Sequence, residues 1–301
     1  MKEEETYHIN IEEITKSHET VLNACDNVIQ YYLKKPKIKI ILDFSSCNFI
    51  YPDYSLLLLC AFKFLESQKI KVFGTIVYEE PNVIKYLSRM NFFKYLNVEI
   101  PEKIQRLPTN KFVEIQRYDE HNQLDVLKSI MTVIKSNSCI NDNAFAGLDY
   151  CLNEILDNVL NHSGINEGWV VAQYFEKINS IRLIVCDIGL GIHKSLNEAH
   201  NYSEEDAIIN CIVDGVTNGK GQGHGLFATS SFAKLNKGWL SLVSGNKKFD
   251  VSEQKSIINN IPFWQGTCVY LRVNTNIDVD YKLFTSKHYD YKAELFDDMF
   301  K

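Results

Sequence analysis

Apolar positions alternate between two spacings along the first hundred residues. Tyr7 to Ile11 alternates apolar with polar, a strand period. Ser17 to Leu33 places Val21, Leu22, Cys25, Val28, Ile29 and Tyr32 on one side of a helix. Ile38 to Phe44 is a β-branched apolar run, as in a buried parallel strand. Tyr54 to Leu65 then reads as a helix, Ile70 to Val77 as a strand, and Asn82 to Leu96 as a helix broken at Asn91. Strands alternating with helices predict a small, mostly parallel α/β domain over residues 1–105.

Pro101 to Asn110 is polar, carries two prolines and breaks the pattern, so it is expected to be a linker. A second domain is expected over 106–275, with its elements between about Lys111 and Val273. They begin with a strand at Phe112 to Ile115 and helices at Gln123 to Lys135 and Asp142 to His162. Two strands follow at Trp169 to Phe175 and Ile181 to Cys186, then a polar stretch with a short helix from Ser203 to about Val213. A helix from Leu226 and strands near Trp239 to Val243 and Thr267 to Val273 complete an α+β layer with an antiparallel sheet. Residues 276–301 are acidic and aromatic and receive no assignment.

Composition changes this picture little. The 301 residues are 45% hydrophobic and 23% charged, which excludes a disordered chain. With 32 basic against 38 acidic residues the net charge is -6, the wrong sign for broad nucleic-acid binding. The longest purely apolar run, Leu56 to Phe62, falls far short of the ~20 residues that span a bilayer. The acidic start, Met1 to Thr6, does not resemble a secretory signal. Eight cysteines contain no C-x-x-C pair and mostly sit in apolar segments, as small core residues of a reducing, cytoplasmic compartment would.

Three segments carry candidate chemistry. On a wheel of Asp142 to His162, Leu148, Leu152, Ile155, Leu156, Val159 and Leu160 form a core stripe; Glu154, Asp157, Asn158, Asn161 and His162 lie opposite. A polar stripe is ordinarily a solvated face. This one carries short oxygen acceptors that disfavour helix interiors, a set suited to a hard cation and to a water held by a carboxylate base. Next, the strand Ile181 to Cys186 ends in Asp187-Ile188-Gly189-Leu190-Gly191-Ile192. Alternating glycines let backbone pass close to a flat ligand, and the acid could accept from an exocyclic amine; a plain Asp turn is the alternative. Finally, Gly219-Lys220-Gly221-Gln222-Gly223-His224-Gly225-Leu226 opens a helix, where backbone N–H groups and the helix dipole suit phosphate. It is neither a Walker loop nor a Rossmann fingerprint, and alone it would read as a flexible loop. The segment between Gly191 and Gly225 is long enough to form a lid.

In this order the three segments resemble the GHKL superfamily, the ATP-binding domains of gyrases, heat-shock chaperones, histidine kinases and mismatch-repair ATPases. Asn153 to Asn158 resembles the family's Asn box, Asp187 to Ile192 its first glycine box, Gly221 to Leu226 its second, and Gly266-Thr267 its short Gly-Thr element. The resemblance covers roughly Lys111 to Val273 and implies a Bergerat-type sandwich, a mixed, mostly antiparallel sheet covered by helices, that binds ATP with Mg²⁺. It implies that Asn158 binds Mg²⁺, that Glu154 orients or deprotonates the attacking water or hydroxyl, and that Asp187 accepts from the adenine amino group. Gly189 and Gly191 would pack on base and ribose. Gly221, Gly223 and Gly225 would wrap the phosphates, and Thr267 would support the adenine through a water. His162 and Lys220 are lesser candidates near metal and phosphate; His224 receives no role.

Ile38 to Leu59 resembles the STAS domain of anti-sigma-factor antagonists, over about residues 5 to 100. Where that family carries Asp-Ser-Ser-Gly, this chain has Tyr51-Pro52-Asp53-Tyr54, so Asp53 falls near the phosphoacceptor position and Ser55 stands as another acceptor. A carboxylate at a helix start crudely imitates a phosphoserine, so this domain is expected to dock in cis or on a protein partner. The chain thus reads as an ATP-dependent, slowly hydrolysing regulatory switch. The alternatives are a serine kinase acting on a STAS-like partner and a non-hydrolysing, nucleotide-gated interaction module. A homodimer is a further expectation of the resemblance; nucleic acid and membrane are not expected partners.

Overall fold

The computed structural model describes residues 6–35, 39–79, 81–100, 112–220, 223–280 and 283–284. The linker expected at Pro101 to Asn110 lies outside these, as does Gly221. The first part of the chain comprises β1 (Thr6–Asn10), α1 (Ile11–Ile14), α2 (His18–Lys34), β2 (Lys39–Asp43), α3 (Pro52–Ser67), β3 (Phe73–Val77), α4 (Pro81–Arg89) and α5 (Phe92–Tyr95). The second comprises β4 (Phe112–Tyr118), α6 (Gln123–Asn137), α7 (Asp142–His162), β5 (Gly168–Phe175), β6 (Ser180–Cys186), α8 (Gly191–Leu196), α9 (Glu204–Asn210), α10 (Gly225–Leu235), β7 (Trp239–Val251) and β8 (Ser256–Asn274). The protein is mixed α/β, with a three-stranded parallel sheet in the order β1-β2-β3 and a five-stranded antiparallel sheet in the order β4-β5-β6-β8-β7.

Local chemistry accounts for several boundaries. The side chain of Ser17 accepts from the Thr20 N–H, and Thr20 returns the bond to Ser17, a capping box that starts α2. Pro52 sits in the first turn of α3, two residues earlier than the apolar run suggests, because its missing N–H costs nothing there. Asn91, at φ 63, separates α4 from α5. The α7 cap is Asn141, whose side chain accepts from Ala144 N–H at 2.7 Å.

Several elements depart from the sequence expectation. The polar stretch after Gly191 holds a second short helix, α8, besides α9. The last two strands are far longer than expected, because β7 and β8 continue as a hairpin past the end of β6. Lys247 to Val251 pair with Ser256 to Asn260 there, and the many lysines and asparagines hide the strand period.

The five-stranded sheet is covered on both sides. Ile181, Leu183 and Val185 of β6 and Val269, Leu271 and Val273 of β8 share a core with α6, α7 and α10. Ile184 and Cys186, with Cys268 and Tyr270, share another with α2 and α3 of the first part. The first part of the chain is thus the second cover of this sheet, and one core crosses the expected boundary near residue 106. Ser55 is fully buried, its hydroxyl donating to the Pro52 carbonyl at 2.7 Å. Past the sheet, Val279 and Phe284 are buried; Phe284 packs on Phe232 of α10 with centroids 5.3 Å apart. No helix among the described residues is long and apolar enough to cross a membrane.

Candidate functional site

A cleft of about 300 Å³ lies between α7, the turn after β6, the segment leading into α10, and β8. The apolar stripe of α7 faces the sheet and α10, which turns the opposite stripe toward this space. Glu154, Asp157, Asn158, Asn161 and His162 all line it.

Asp187 forms the buried end, at 2% exposure. Its Oδ1 accepts from Gly189 N–H at 2.8 Å, its own N–H donates to the Thr267 carbonyl at 2.9 Å, and Thr267 supplies a side-chain hydrogen bond. Burial nevertheless pushes the carboxyl up to about 7, against the pull of those donors. Gly191, at φ 78, completes the turn; a Cβ there would stand 2.7 Å from Ser244 Oγ. That hydroxyl donates to the Gly266 carbonyl and accepts from Ile192 N–H, both at 2.9 Å, tying the turn to β7 and β8.

The other end is built around α10. Gly225 is its first residue and lines the cleft, as do Gly223 and Lys220. The opening N–H groups of an eleven-residue helix lack intrahelical partners and carry its positive dipole end. His224, in the cap position, makes no capping bond; its ring contacts Asp214 instead. Lys220 Nζ lies 3.3 Å from Glu198 Oε2. Burial, then the Lys220 charge, hold the His162 imidazole below its usual range, against a hydrogen bond with Asn218.

On the α7 wall, Asp157 accepts from Gln123 Nε2 at 2.6 Å and Asn153 Nδ2 at 3.2 Å. Asn158 Nδ2 is buried and has no hydrogen-bond partner among the described residues. An amide's oxygen and nitrogen exchange by a simple flip, so Asn158 can offer the cleft an oxygen. Among the described residues no group of three or more His, Cys, Asp or Glu side chains could hold a metal ion. A cation beside Asn158 would need oxygens from a ligand, and this donor set fits one that arrives with phosphates.

The cleft therefore gathers Glu154, Asn158, Asp187, Gly191, Lys220, Gly223, Gly225 and Thr267. Gly189 does not line it. It packs behind the turn against Ser163 at the end of α7, where a Cβ would overlap the Ser163 carbonyl oxygen. That oxygen accepts from Leu190 N–H at 2.7 Å. Asn218 and Ser195 are among the cleft residues that lie outside the motifs. Asn218 is 8% exposed, and its Nδ2 donates to Ser195 Oγ at 3.1 Å, joining the loop to α8. Only a turn-like Asn-Gly pair hinted at Asn218, and nothing in the local spacing hinted at Ser195. No family model matches the chain, and no curated protein matches it.

Proposed function

We propose that the cleft binds Mg·ATP and that the chain is a GHKL-type regulatory switch, a Bergerat-type sandwich coupled to a STAS-like N-terminal unit. The convergence of Glu154, Asn158, Asp187, Gly225 and Thr267 on one cleft carries this reading. Its two ends differ in chemistry as the ends of a nucleotide do. Asp187, buried, and Thr267 beside it offer acceptors that suit an exocyclic amine, whereas Lys220 and the start of α10 suit an anion.

In this reading Asp187 accepts from the adenine amino group, and Gly191 lets the turn approach base and ribose. Gly223, Gly225 and Lys220 hold the phosphates. Asn158 is the protein's oxygen ligand to Mg²⁺, which when bound screens phosphate charge. Glu154 orients a water and takes its proton. Slow hydrolysis resets the switch.

A thermal-shift series with ATP, ADP, GTP and EDTA tests the reading. Mg·ATP at about a hundredfold excess over Kd should raise Tm by roughly 5 °C or more. GTP should do less, because its ring carbonyl would face the Asp187 acceptor, and EDTA should reduce the ATP shift. No shift with either adenine nucleotide would remove the reading. Labelled γ-phosphate recovered as free phosphate identifies hydrolysis; label on protein identifies transfer.

A further inference from the structure

The N-terminal unit meets the five-stranded sheet on the face opposite the cleft, mainly through apolar side chains of a shared core. A polar cluster interrupts that contact over β6 and β8, apart from the hydrogen bonds that tie Asn91 and Tyr95 to β4. Asp53, in the first turn of α3, is 7% exposed. Its Oδ2 lies 3.0 Å from His18 Nε2 at the start of α2, at ion-pair distance without hydrogen-bond alignment. The His18 ring stands edge-on to Tyr54 and to Tyr270 of β8, with centroids 5.1 Å apart in both pairs. Tyr270 lies beside Arg182 of the paired strand β6, whose guanidinium lies 5.6 Å from the Tyr51 centroid, just before α3. The circuit crosses between the unit and the sheet twice, once at His18–Tyr270 and once at Arg182–Tyr51.

The strands that receive these contacts also carry the buried end of the cleft. Cys186 touches Cys60 of α3, and the next residue is Asp187. Cys268 lies 2.7 Å from Cys186, sulfur to sulfur, and the preceding residue is Thr267. Successive residues of a strand point to opposite faces, so a shift of β6 or β8 against α3 moves both faces together. Close packing on both sides leaves no slack to absorb such a shift on one face alone.

We propose that His18 and Asp53 are positioning residues for the cleft. Their pairing sets how the N-terminal unit seats on Tyr270 and Arg182, and this seating aligns Asp187 and Thr267 through β6 and β8. Occupancy of the cleft and seating of the unit then favour one another reciprocally. The inference rests on the nucleotide reading above, since the occupant is an adenine nucleotide.

The test uses the full chain and its Asp53→Asn, His18→Gln and His18→Gln/Asp53→Asn variants. ADP and ATP are titrated by calorimetry, and amide hydrogen exchange of residues 53–60 is followed with and without ADP. In the wild type, ADP should slow that exchange. Each single variant should weaken nucleotide binding about tenfold and abolish the slowing while still melting cooperatively. The double variant should be no weaker than either single one. If Asp53→Asn fails to fold, His18→Gln decides the matter, since that side chain is 26% exposed. Wild-type affinity in His18→Gln, with exchange in α3 indifferent to ADP, would overturn the inference and leave the nucleotide reading standing. A wild type that binds neither ADP nor ATP would overturn both.

Discussion

The Glu154 carboxylate of α7 lies so close to Gly225, the first residue of α10, that a Cβ on Gly225 would overlap Oε2. The absence of a side chain at Gly225 lets the acid stand beside the start of α10. A carboxylate there is favourable with the helix dipole, and it sits where the proposed reaction needs a base.

Gly225→Ala should therefore separate folding from turnover. Alanine suits a helix, and the obstructing atom is the end of a flexible side chain, so stability should change by less than about 1 kcal/mol. The displaced carboxylate should cut ATP turnover by about tenfold or more, ~1.4 kcal/mol in the barrier. Glu154→Ala should abolish turnover while ATP still binds. Phosphate release at the wild-type rate in both variants would remove Glu154 as the base.

Asp187 should impose a pH dependence on stability. Burial raises its carboxyl from the ordinary 3.8 to about 7, so between these values the folded chain keeps a proton that the unfolded chain has lost. The stabilisation is complete below the unfolded value and disappears as pH rises through about 7. Asp187→Asn carries no titrating group there and lacks this pH dependence. Denaturation at about pH 5 and about pH 8 should show the variant gaining roughly 2–3 kcal/mol on the wild type over that interval. Its affinity for ADP should meanwhile fall about tenfold or more, because an amide donor would face an amine donor. A pH-independent stability difference would contradict the assigned titration.

Gly189→Ala should act on folding. Its Cβ would meet the backbone carbonyl of Ser163, which a rotamer change cannot relieve. A loss of roughly 1–3 kcal/mol in urea denaturation is expected, the usual cost of overpacking. Unchanged stability would mean that the turn after β6 shifts freely.

Asn158→Ala should remove the metal-dependent part of binding. ATP affinity with Mg²⁺ should fall to the level seen in EDTA, and added EDTA should then have no further effect. A variant that keeps the full Mg²⁺ increment would exclude Asn158 as a ligand.

Most of this architecture was legible where a local rule applies. The period of Asp142 to His162 marks α7 at both ends, since Asn141 caps it and Leu148, Leu152, Ile155, Leu156 and Val159 are buried. The acid-glycine turn after β6 and the glycines before α10 were visible because few other residues tolerate such backbone. Those rules concern neighbours in the chain. They do not say which surface meets which.

Periodicity could show that β6 is apolar, but it could not show that α3 would cover Ile184 and Cys186 while α7's layer covers Leu183 and Val185. Nor could it set Gly189 behind the turn and Gly191 in the cleft, or bring Asn218 onto Ser195. Local preference acts over a turn or a strand, so residue order reveals it. The two-sided burial of the sheet and the meeting of Glu154 with Gly225 arise from close packing between segments far apart in the chain, and only the folded arrangement sets those.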